Sequence, residues 1–315
     1  GQLTKAIKEG TYRPSPVKRV SIPKDEPGKL RDLGIPTVID RLVQQATAQV
    51  LDWAYDRDFS DRSFGFRRNM RAHHALRVIT AEADQGYRWA VDMDLAKFFD
   101  TVNHSRLIRK LSLKIKDGRV ISLIHKMLRS GVQINGEIKP TEIGLMQGGP
   151  LSPLLANIYL DELDKELEKR GHRFARYADD LICICKSRRA AERTLASLTR
   201  FVQEKILLKV NQEKSHVAYV SSPQTKFLGY GFYYSRTKRE LRLTIHKKSK
   251  HRECETAASA EAAGVDELLP TSRCSKVDTR DRPMDTTPYP PTLVENLEEG
   301  EDEDKSPYKI RGGSC

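Results

Sequence analysis

The stretch RYADDLICICK, residues 176–186, constrains the fold of this chain most, because it places two adjacent carboxylates between two strand-like runs. Residues 174–178 and 181–185 are rich in aromatic and β-branched side chains, which predicts a hairpin with Asp179 and Asp180 at its bend. Two unneutralised charges between apolar flanks are costly unless a cation binds there. The alternative is a solvated Asp-Asp turn, since Asp is a common turn residue.

A further carboxylate pair lies upstream, in the segment YRWAVDMDLAKFFDTVNH, residues 87–104. Successive side chains of a strand point to opposite faces, so Asp92 and Asp94 share one face and Val91 and Met93 the other. Two carboxylates on one face beside a Phe-Phe pair are unusual for a surface strand, although an exposed polar face remains the alternative.

Three aspartates together predict a site for two Mg²⁺ ions. Asp94 on one strand, with Asp179 and Asp180 on a hairpin, supplies the hard oxygen ligands that Mg²⁺ prefers. In phosphoryl transfer, one such ion activates a primer 3′ hydroxyl and the other holds the triphosphate of the incoming nucleotide. The pattern therefore favours nucleotidyl transfer over a solvated turn.

The distribution of charge indicates a polyanionic partner. The chain has 55 Lys and Arg against 43 Asp and Glu; its first 250 residues hold 47 basic and 28 acidic residues. A body this basic is expected to bind nucleic acid. No apolar run is long enough to cross a bilayer, and the N-terminus lacks a signal-peptide pattern, so we expect a cytoplasmic protein without a membrane partner. Five cysteines form no disulfide framework, and we interpret Cys183 and Cys185 as small apolar strand residues.

The first part of the chain predicts a hairpin followed by a helix. Residues 11–36 have the pattern of a basic β-hairpin, and Thr37 is expected to be the N-cap of the next helix, with Asp40 three residues on. Apolar residues at helical spacing predict which side of this helix faces the core. The residues of that side are Val38, Leu42, Ala46 and Val50.

The remaining elements predict an α+β fold. Two helices and a hairpin turning at Asn135-Gly136 precede the loop QGGP, residues 147–150, and a long helix. The order strand, helix, hairpin, helix, strand favours an antiparallel sheet with helices on one face. Residues 251–315 hold 6 of the 15 prolines and 15 acidic residues, and their low apolar content predicts an acidic, disordered tail.

Several segments follow one another in an order that identifies a family. The chain resembles the reverse transcriptase domain of bacterial group II intron-encoded proteins over residues 10–250. The segments that carry the resemblance are IPKDEPGKLRDLGIPTVIDRLVQQA, SFGFR, VDMDLAKFFDTVNH, QGGPLSPLLANIYLDELDKELEKRG, RYADDL, NQEKS and FLGYGF. The resemblance implies a right-hand polymerase with fingers at 1–90, a palm at 91–240, of which 104–145 returns towards the fingers, and the start of a truncated thumb at 241–250.

The resemblance also implies the roles of particular residues. Asp94, Asp179 and Asp180 would bind catalytic Mg²⁺, and Phe99 would exclude a ribose 2′ hydroxyl. The residues expected to contact the incoming nucleotide are Lys24, Arg67, Phe99, Gln147 and Lys214. Those expected to hold the primer end are Phe227, Leu228 and Gly229. The implied partners are an intron RNA template, a DNA primer and dNTPs, and the family also assists splicing as maturases.

The sequence departs from the family in three places. Met146 replaces the usual Pro before the QGGP loop, Arg68-Asn69 replaces Pro-Gly after GFR, and no helical thumb follows residue 250. A missing thumb leaves two alternatives to an active reverse transcriptase. One is an RNA-binding splicing cofactor in which polymerisation is dispensable, and the other is a truncated remnant with little polymerase activity.

Overall fold

The computed structural model describes residues 1–23 and 30–246. Lys24 and the acidic segment 251–315 lie outside the described residues, as do residues 247–250 of the expected thumb start. The helices are α1 (Gln2–Lys8), α2 (Val38–Tyr55), α3 (Ala72–Asp84), α4 (Phe98–Thr101), α5 (His104–Lys114), α6 (Gly118–Leu128), α7 (Ser152–Lys169) and α8 (Arg188–Phe201). The strands are β1 (Val17–Pro23), β2 (Leu30–Ile35), β3 (Trp89–Met93), β4 (Val132–Ile134), β5 (Glu137–Lys139), β6 (Arg173–Tyr177), β7 (Asp180–Cys185), β8 (His216–Tyr219), β9 (Tyr230–Ser235) and β10 (Glu240–Ile245).

The fingers contain a four-stranded sheet in the order β2-β1-β4-β5. The predicted basic hairpin is present as β1 and β2, paired antiparallel from Lys18 opposite Ile35. Strand β4 pairs parallel with β1. The turn at Asn135 and Gly136 is confirmed, because both residues have the positive φ that a two-residue hairpin turn requires. Residues after α6 therefore join a sheet formed by the N-terminal part of the chain.

The palm is built on an antiparallel sheet in the order β6-β7-β3-β8. Helices α7 and α8 pack on one face of the sheet, and α3 with the β9–β10 hairpin covers the other, so helices lie on both faces and not on the single face that the sequence predicted. Each face of the sheet has its own hydrophobic core. Side chains alternate along β3, so Val91 and Met93 belong to the core under α7 and α8, and Ala90 belongs to the core under α3. Because both faces are buried, the strands are nearly continuous apolar runs. The boundary expected at residue 241 falls inside β10, which pairs with β9.

The core-facing side predicted for α2 is wrong. The side chains predicted to be buried are exposed: Val38, Leu42, Ala46 and Val50. Val43, Leu51 and Tyr55 form the buried side instead. Both sides of this helix carry apolar residues at helical spacing, so periodicity alone does not select one. The predicted N-cap is confirmed, because Thr37 Oγ1 accepts a hydrogen bond from the Asp40 backbone nitrogen at 3.2 Å.

In the described part of the chain, none of the helices joins the length to the low charge and high hydropathy that crossing a bilayer requires.

Candidate active site

The predicted aspartate hairpin is present, with its turn one residue earlier than expected. Strand β6 ends at Tyr177 and β7 begins at Asp180, and these two residues pair, so Ala178 and Asp179 form the turn. Met93 on β3 pairs with Leu181 on β7, and continuing this register by one residue sets Asp94 beside Asp180. The sheet therefore brings the carboxylates of two separate sequence segments to the same edge.

The aspartates are close enough to shift one another's pKa values. Burial and, after it, the charges of Asp179, Asp92 and Asp94 together raise the pKa of Asp180 to about 7. Burial also raises the pKa of Asp179, and the Asp94 carboxylate adds to the effect. Asp92 has its pKa raised to about 6 by burial and by Asp94. Four carboxylates in one region repel each other, which favours a bound cation.

Asp94 is held in place by the segment NQEKS, residues 211–215. The Asn211 side-chain amide donates to Asp94 Oδ2 at 2.9 Å, and the Asn211 backbone nitrogen donates to the Asp94 carbonyl oxygen at 2.8 Å. The Asp94 backbone nitrogen donates to Ser215 Oγ at 3.0 Å. Three hydrogen bonds thus fix the backbone and the carboxylate of Asp94, the residue that follows β3.

The aspartate set fits Mg²⁺ in its chemistry without forming a closed cage. Among residues 1–23 and 30–246, no three His, Cys, Asp or Glu side chains converge closely enough to hold a metal ion by themselves. Mg²⁺ is usually bound through one or two carboxylates, with waters and substrate phosphates as the other ligands. An open set of hard oxygen ligands therefore suits an ion that is completed by a nucleotide.

Arg67 has a structural environment that the sequence did not indicate. Its Nε donates to Asp56 Oδ1 at 2.7 Å, and its Nη1 donates to the carbonyl oxygens of Ser60 and Ser63 at 2.6 and 2.9 Å. The guanidinium also lies over the Phe59 ring, 5.5 Å from its centroid. Most of its donors are thus used within the loop, while its contact with a nucleotide stays a prediction.

The QGGP loop packs against the fingers. The Gly34 backbone nitrogen on β2 donates to the Gln147 carbonyl oxygen at 2.7 Å. A Cβ at Gly148 would lie 2.8 Å from the Gly34 carbonyl oxygen, so this glycine permits the close approach of two backbones. Met146, in the place of the family's Pro, lays its side chain against Gly34. Phe99 is half-buried on α4, with its ring centroid 5.1 Å from that of Phe98.

The segment predicted to hold the primer end is a two-residue turn. Phe227 and Tyr230 exchange backbone hydrogen bonds of 2.9 Å, and Leu228 and Gly229 between them both have positive φ. The Phe227 ring is buried in the core between α3 and the sheet, so this turn rests on a rigid base. Lys214 lies on the exposed part of the NQEKS segment. Their roles towards a primer and phosphates stay predictions.

Three residues near the aspartates were missed by the sequence-based site. Asp92 was placed on the correct strand face without a role, although its charge reaches Asp180. The pKa values of Asp179 and Asp180 are raised overall, and two cations partly offset this rise. The charge of Arg31 acts on Asp179 and that of Lys226 on Asp180. Arg31 comes from β2 of the fingers, so only the folded chain shows that this cation faces the palm. In the sequence, only the position of Arg31 in the basic hairpin indicated that it could bind an anionic ligand.

Comparisons with known proteins agree with this architecture. A family model described as reverse transcriptase (RNA-dependent DNA polymerase) matches residues 22–232. The group II intron-encoded protein LtrA of Lactococcus lactis subsp. cremoris is 33% identical over 293 residues, covering 73% of this chain and 49% of LtrA. Protein YkfC of Escherichia coli (strain K12) is 32% identical over 257 residues, covering 70% of this chain and 67% of YkfC. Apo telomerase from Candida tropicalis shares the fold, with a TM-score of 0.57 at 14% identity over 75% of this chain and 49% of that chain.

The chain belongs to the reverse transcriptase family. Within that family it is a relative of group II intron-encoded proteins, as the similarity to LtrA shows, and it spans about half the length of LtrA. The α+β fold with fingers and an antiparallel palm sheet, expected from the sequence, is confirmed.

Proposed function

We propose that this protein is an RNA-directed DNA polymerase of a group II intron, which adds dNTPs to a primer 3′ hydroxyl with Mg²⁺ as cofactor. The observation that carries the proposal is that the register of the palm sheet sets Asp94 beside Asp180 at one edge, with Asp179 in the adjoining turn, in a chain of the reverse transcriptase family. Their mutual repulsion indicates a site for divalent cations rather than a solvated turn.

The aspartates and the residues around them have different roles in such a reaction. Bound Mg²⁺ supplies the positive charge that stabilises the phosphates and activates the primer hydroxyl. Asp94, Asp179 and Asp180 hold that charge at the sheet edge. Arg31 and Lys226, whose charges reach the aspartates, are suited to binding the triphosphate on the fingers side and the primer side. Phe99 limits the space for a ribose 2′ hydroxyl and favours dNTPs.

Primer extension tests the catalytic proposal. The protein is incubated with a DNA primer on an RNA template, dNTPs and Mg²⁺, and the products are resolved by length. We expect templated extension by the wild type and none by the Asp179→Ala, Asp180→Ala double variant. Glu204→Ala, at an exposed carboxylate near the end of α8, is the matched control and should extend normally. Extension by the double variant at the wild-type rate would exclude the aspartate site.

A second role, in binding and splicing the intron RNA, is favoured by the charge of the first 250 residues, with 47 basic and 28 acidic side chains. Phosphate contacts release counterions, so affinity for intron RNA should fall steeply as salt rises. Binding that is insensitive to salt would contradict this role. A splicing assay with the Asp179→Ala, Asp180→Ala variant separates the two functions, because RNA binding does not need those carboxylates.

A further inference from the structure

Arg176, on strand β6 of the aspartate hairpin, is the largest fully buried side chain in the described structure, with 0% of its surface exposed. All five of its N–H groups have acceptors. Nε and Nη2 donate to the two carboxylate oxygens of Asp164 at 2.7 and 2.5 Å, and Nη2 also donates to Ser63 Oγ at 2.7 Å. Nη1 donates to Asn157 Oδ1 at 3.1 Å and to the Ala178 carbonyl oxygen at 2.7 Å.

These acceptors come from three separate parts of the fold. Asp164 and Asn157 lie one above the other on α7, Ser63 belongs to the loop after α2, and Ala178 is in the turn that carries Asp179. The Asn157 side-chain amide also donates to the Gly65 carbonyl oxygen at 2.8 Å. One guanidinium group thus joins the long palm helix, the loop that leads to Arg67 and the aspartate turn.

The backbone of the same region makes two further connections. The Phe64 backbone nitrogen donates to the Arg176 carbonyl oxygen at 2.8 Å, and the Arg176 backbone nitrogen donates to the Arg62 carbonyl oxygen at 2.9 Å. Ala178 has a φ of 58°, a left-handed conformation that a residue other than glycine keeps only where its surroundings impose it. The hydrogen bond from Arg176 to the Ala178 carbonyl is one of the contacts that impose it.

Stability alone does not explain a buried ion pair at this place. Taking both charges out of water offsets much of their attraction, and an apolar pair of similar volume often stabilises a protein equally well. An apolar pair, however, has no donor for the Ala178 carbonyl oxygen. We propose that Arg176 is a positioning residue, which with Asp164, Asn157 and Ser63 holds the Ala178–Asp179 turn in the geometry that catalysis needs. The inference rests on the proposed function where kcat for primer extension is measured. Hydrogen exchange at the Ala178–Asp179 turn tests it without that function.

The decisive variant is the double substitution Arg176→Met, Asp164→Leu, which replaces the ion pair by apolar side chains of similar size. We expect the variant to fold with a lower denaturant unfolding midpoint than the wild type, because Asn157 Oδ1 and the Ala178 carbonyl oxygen lose a donor although the ion pair itself is replaceable. Its kcat for primer extension should fall about 10–100-fold, as for other groups that orient metal-binding residues. Amide hydrogen exchange in a peptide covering residues 176–182 should become faster, while exchange in α6 stays unchanged.

Arg176→Lys is a second variant that keeps the charge beside Asp164. A lysine ammonium has no planar fork and cannot serve Asp164, Asn157, Ser63 and Ala178 together, so we expect a folded protein with the same loss in kcat and the same faster exchange. The control is Arg106→Met, which removes the partner that donates to Glu162 Oε2 on α7 at 2.7 Å, away from the hairpin. This control should retain wild-type kcat and exchange at the turn.

The outcomes separate this inference from the proposed function. Wild-type kcat and wild-type exchange in both Arg176 variants would overturn the positioning role. If the double variant unfolds, Arg176→Lys decides by the same two measurements. If the wild-type protein does not extend primers, the proposed function fails, and exchange at the turn alone decides: faster exchange in the folded variants supports positioning, and unchanged exchange overturns it.

Discussion

The backbone of Gly65 lies directly against that of Ala178: a Cβ at position 65 would stand 2.2 Å from the Ala178 nitrogen and 2.9 Å from the Tyr177 carbonyl carbon. Neither neighbour is the end of a flexible side chain. Only glycine therefore lets the loop at residues 63–67 approach the turn that carries Asp179, and this contact explains the glycine of the SFGFR segment.

Gly65→Ala tests this contact. We expect the substitution to displace the loop or the turn, to lower the unfolding free energy by about 1–3 kcal/mol, as overpacking does, and to reduce primer extension more than tenfold. Gly118→Ala is the control, since nothing lies within 4 Å of a Cβ there. The control should be neutral or more stable by about 0.4–1 kcal/mol. Equal stability of the two variants would contradict the close approach.

Replacing leucine by alanine at two positions of α2 tests which side of this helix faces the core. Leu51 is 3% exposed and Leu42 is 61% exposed on the same helix. Leu51→Ala leaves a cavity and should lower the unfolding free energy by about 2–5 kcal/mol. Leu42→Ala should change it by no more than about 0.5 kcal/mol. The measurement is chemical denaturation of both variants, and the reverse order would restore the core-facing side that the sequence predicted.

The structural role of Arg67 predicts a loss of stability when its guanidinium is removed. In Arg67→Met the carbonyl oxygens of Ser60 and Ser63 lose their donor, so we expect a loss of about 1–3 kcal/mol. Arg68→Met is the matched control, because this exposed arginine pairs only at the surface with Asp52 and should contribute at most about 1 kcal/mol. Unchanged stability of Arg67→Met together with a raised KM for dNTPs would instead support the nucleotide contact that the family resemblance implies.

Acid sensitivity is predicted at His104, the first residue of α5. Burial lowers the pKa of its imidazole, and its Nε2 lies 2.7 Å from the Gly144 carbonyl oxygen, to which it donates. Below the usual histidine pKa of about 6.5, the unfolded chain binds a proton that the folded chain does not. The contribution of His104 to the unfolding free energy should therefore decrease as the pH falls from about 7 to 5, opposite in sign to the contribution of Asp180, whose pKa is raised.

His104→Gln keeps an N–H donor for Gly144 and does not titrate. The lowered pKa of His172 and the raised pKa values of Asp92 and Asp180 also make stability depend on pH, and they do so in both proteins. Relative to His104→Gln, the wild type should lose stability on acidification, and this difference isolates His104. Denaturant unfolding at pH 7.5 and 5.5 measures it. The same pH dependence in both proteins would show that His104 has the same proton affinity folded and unfolded.

Local sequence determined the elements that carry the site. The apolar runs around Asp179 and Asp180 specify a hairpin, alternation along β3 puts Asp92 and Asp94 on one face, and Thr37 begins α2 as an N-cap. Each depends on residues close together in the chain, whose spacing and side-chain types are sufficient to define the backbone.

Only the tertiary structure decided which surfaces of these elements meet. Helix α2 has apolar residues on both sides, and the position of the palm selects Val43 and Leu51 over Leu42. Arg176 looks like an ordinary basic strand residue until the fold brings Asp164 and Ser63 to its guanidinium. Burial and pairing depend on neighbours distant in sequence, so no local pattern specifies them.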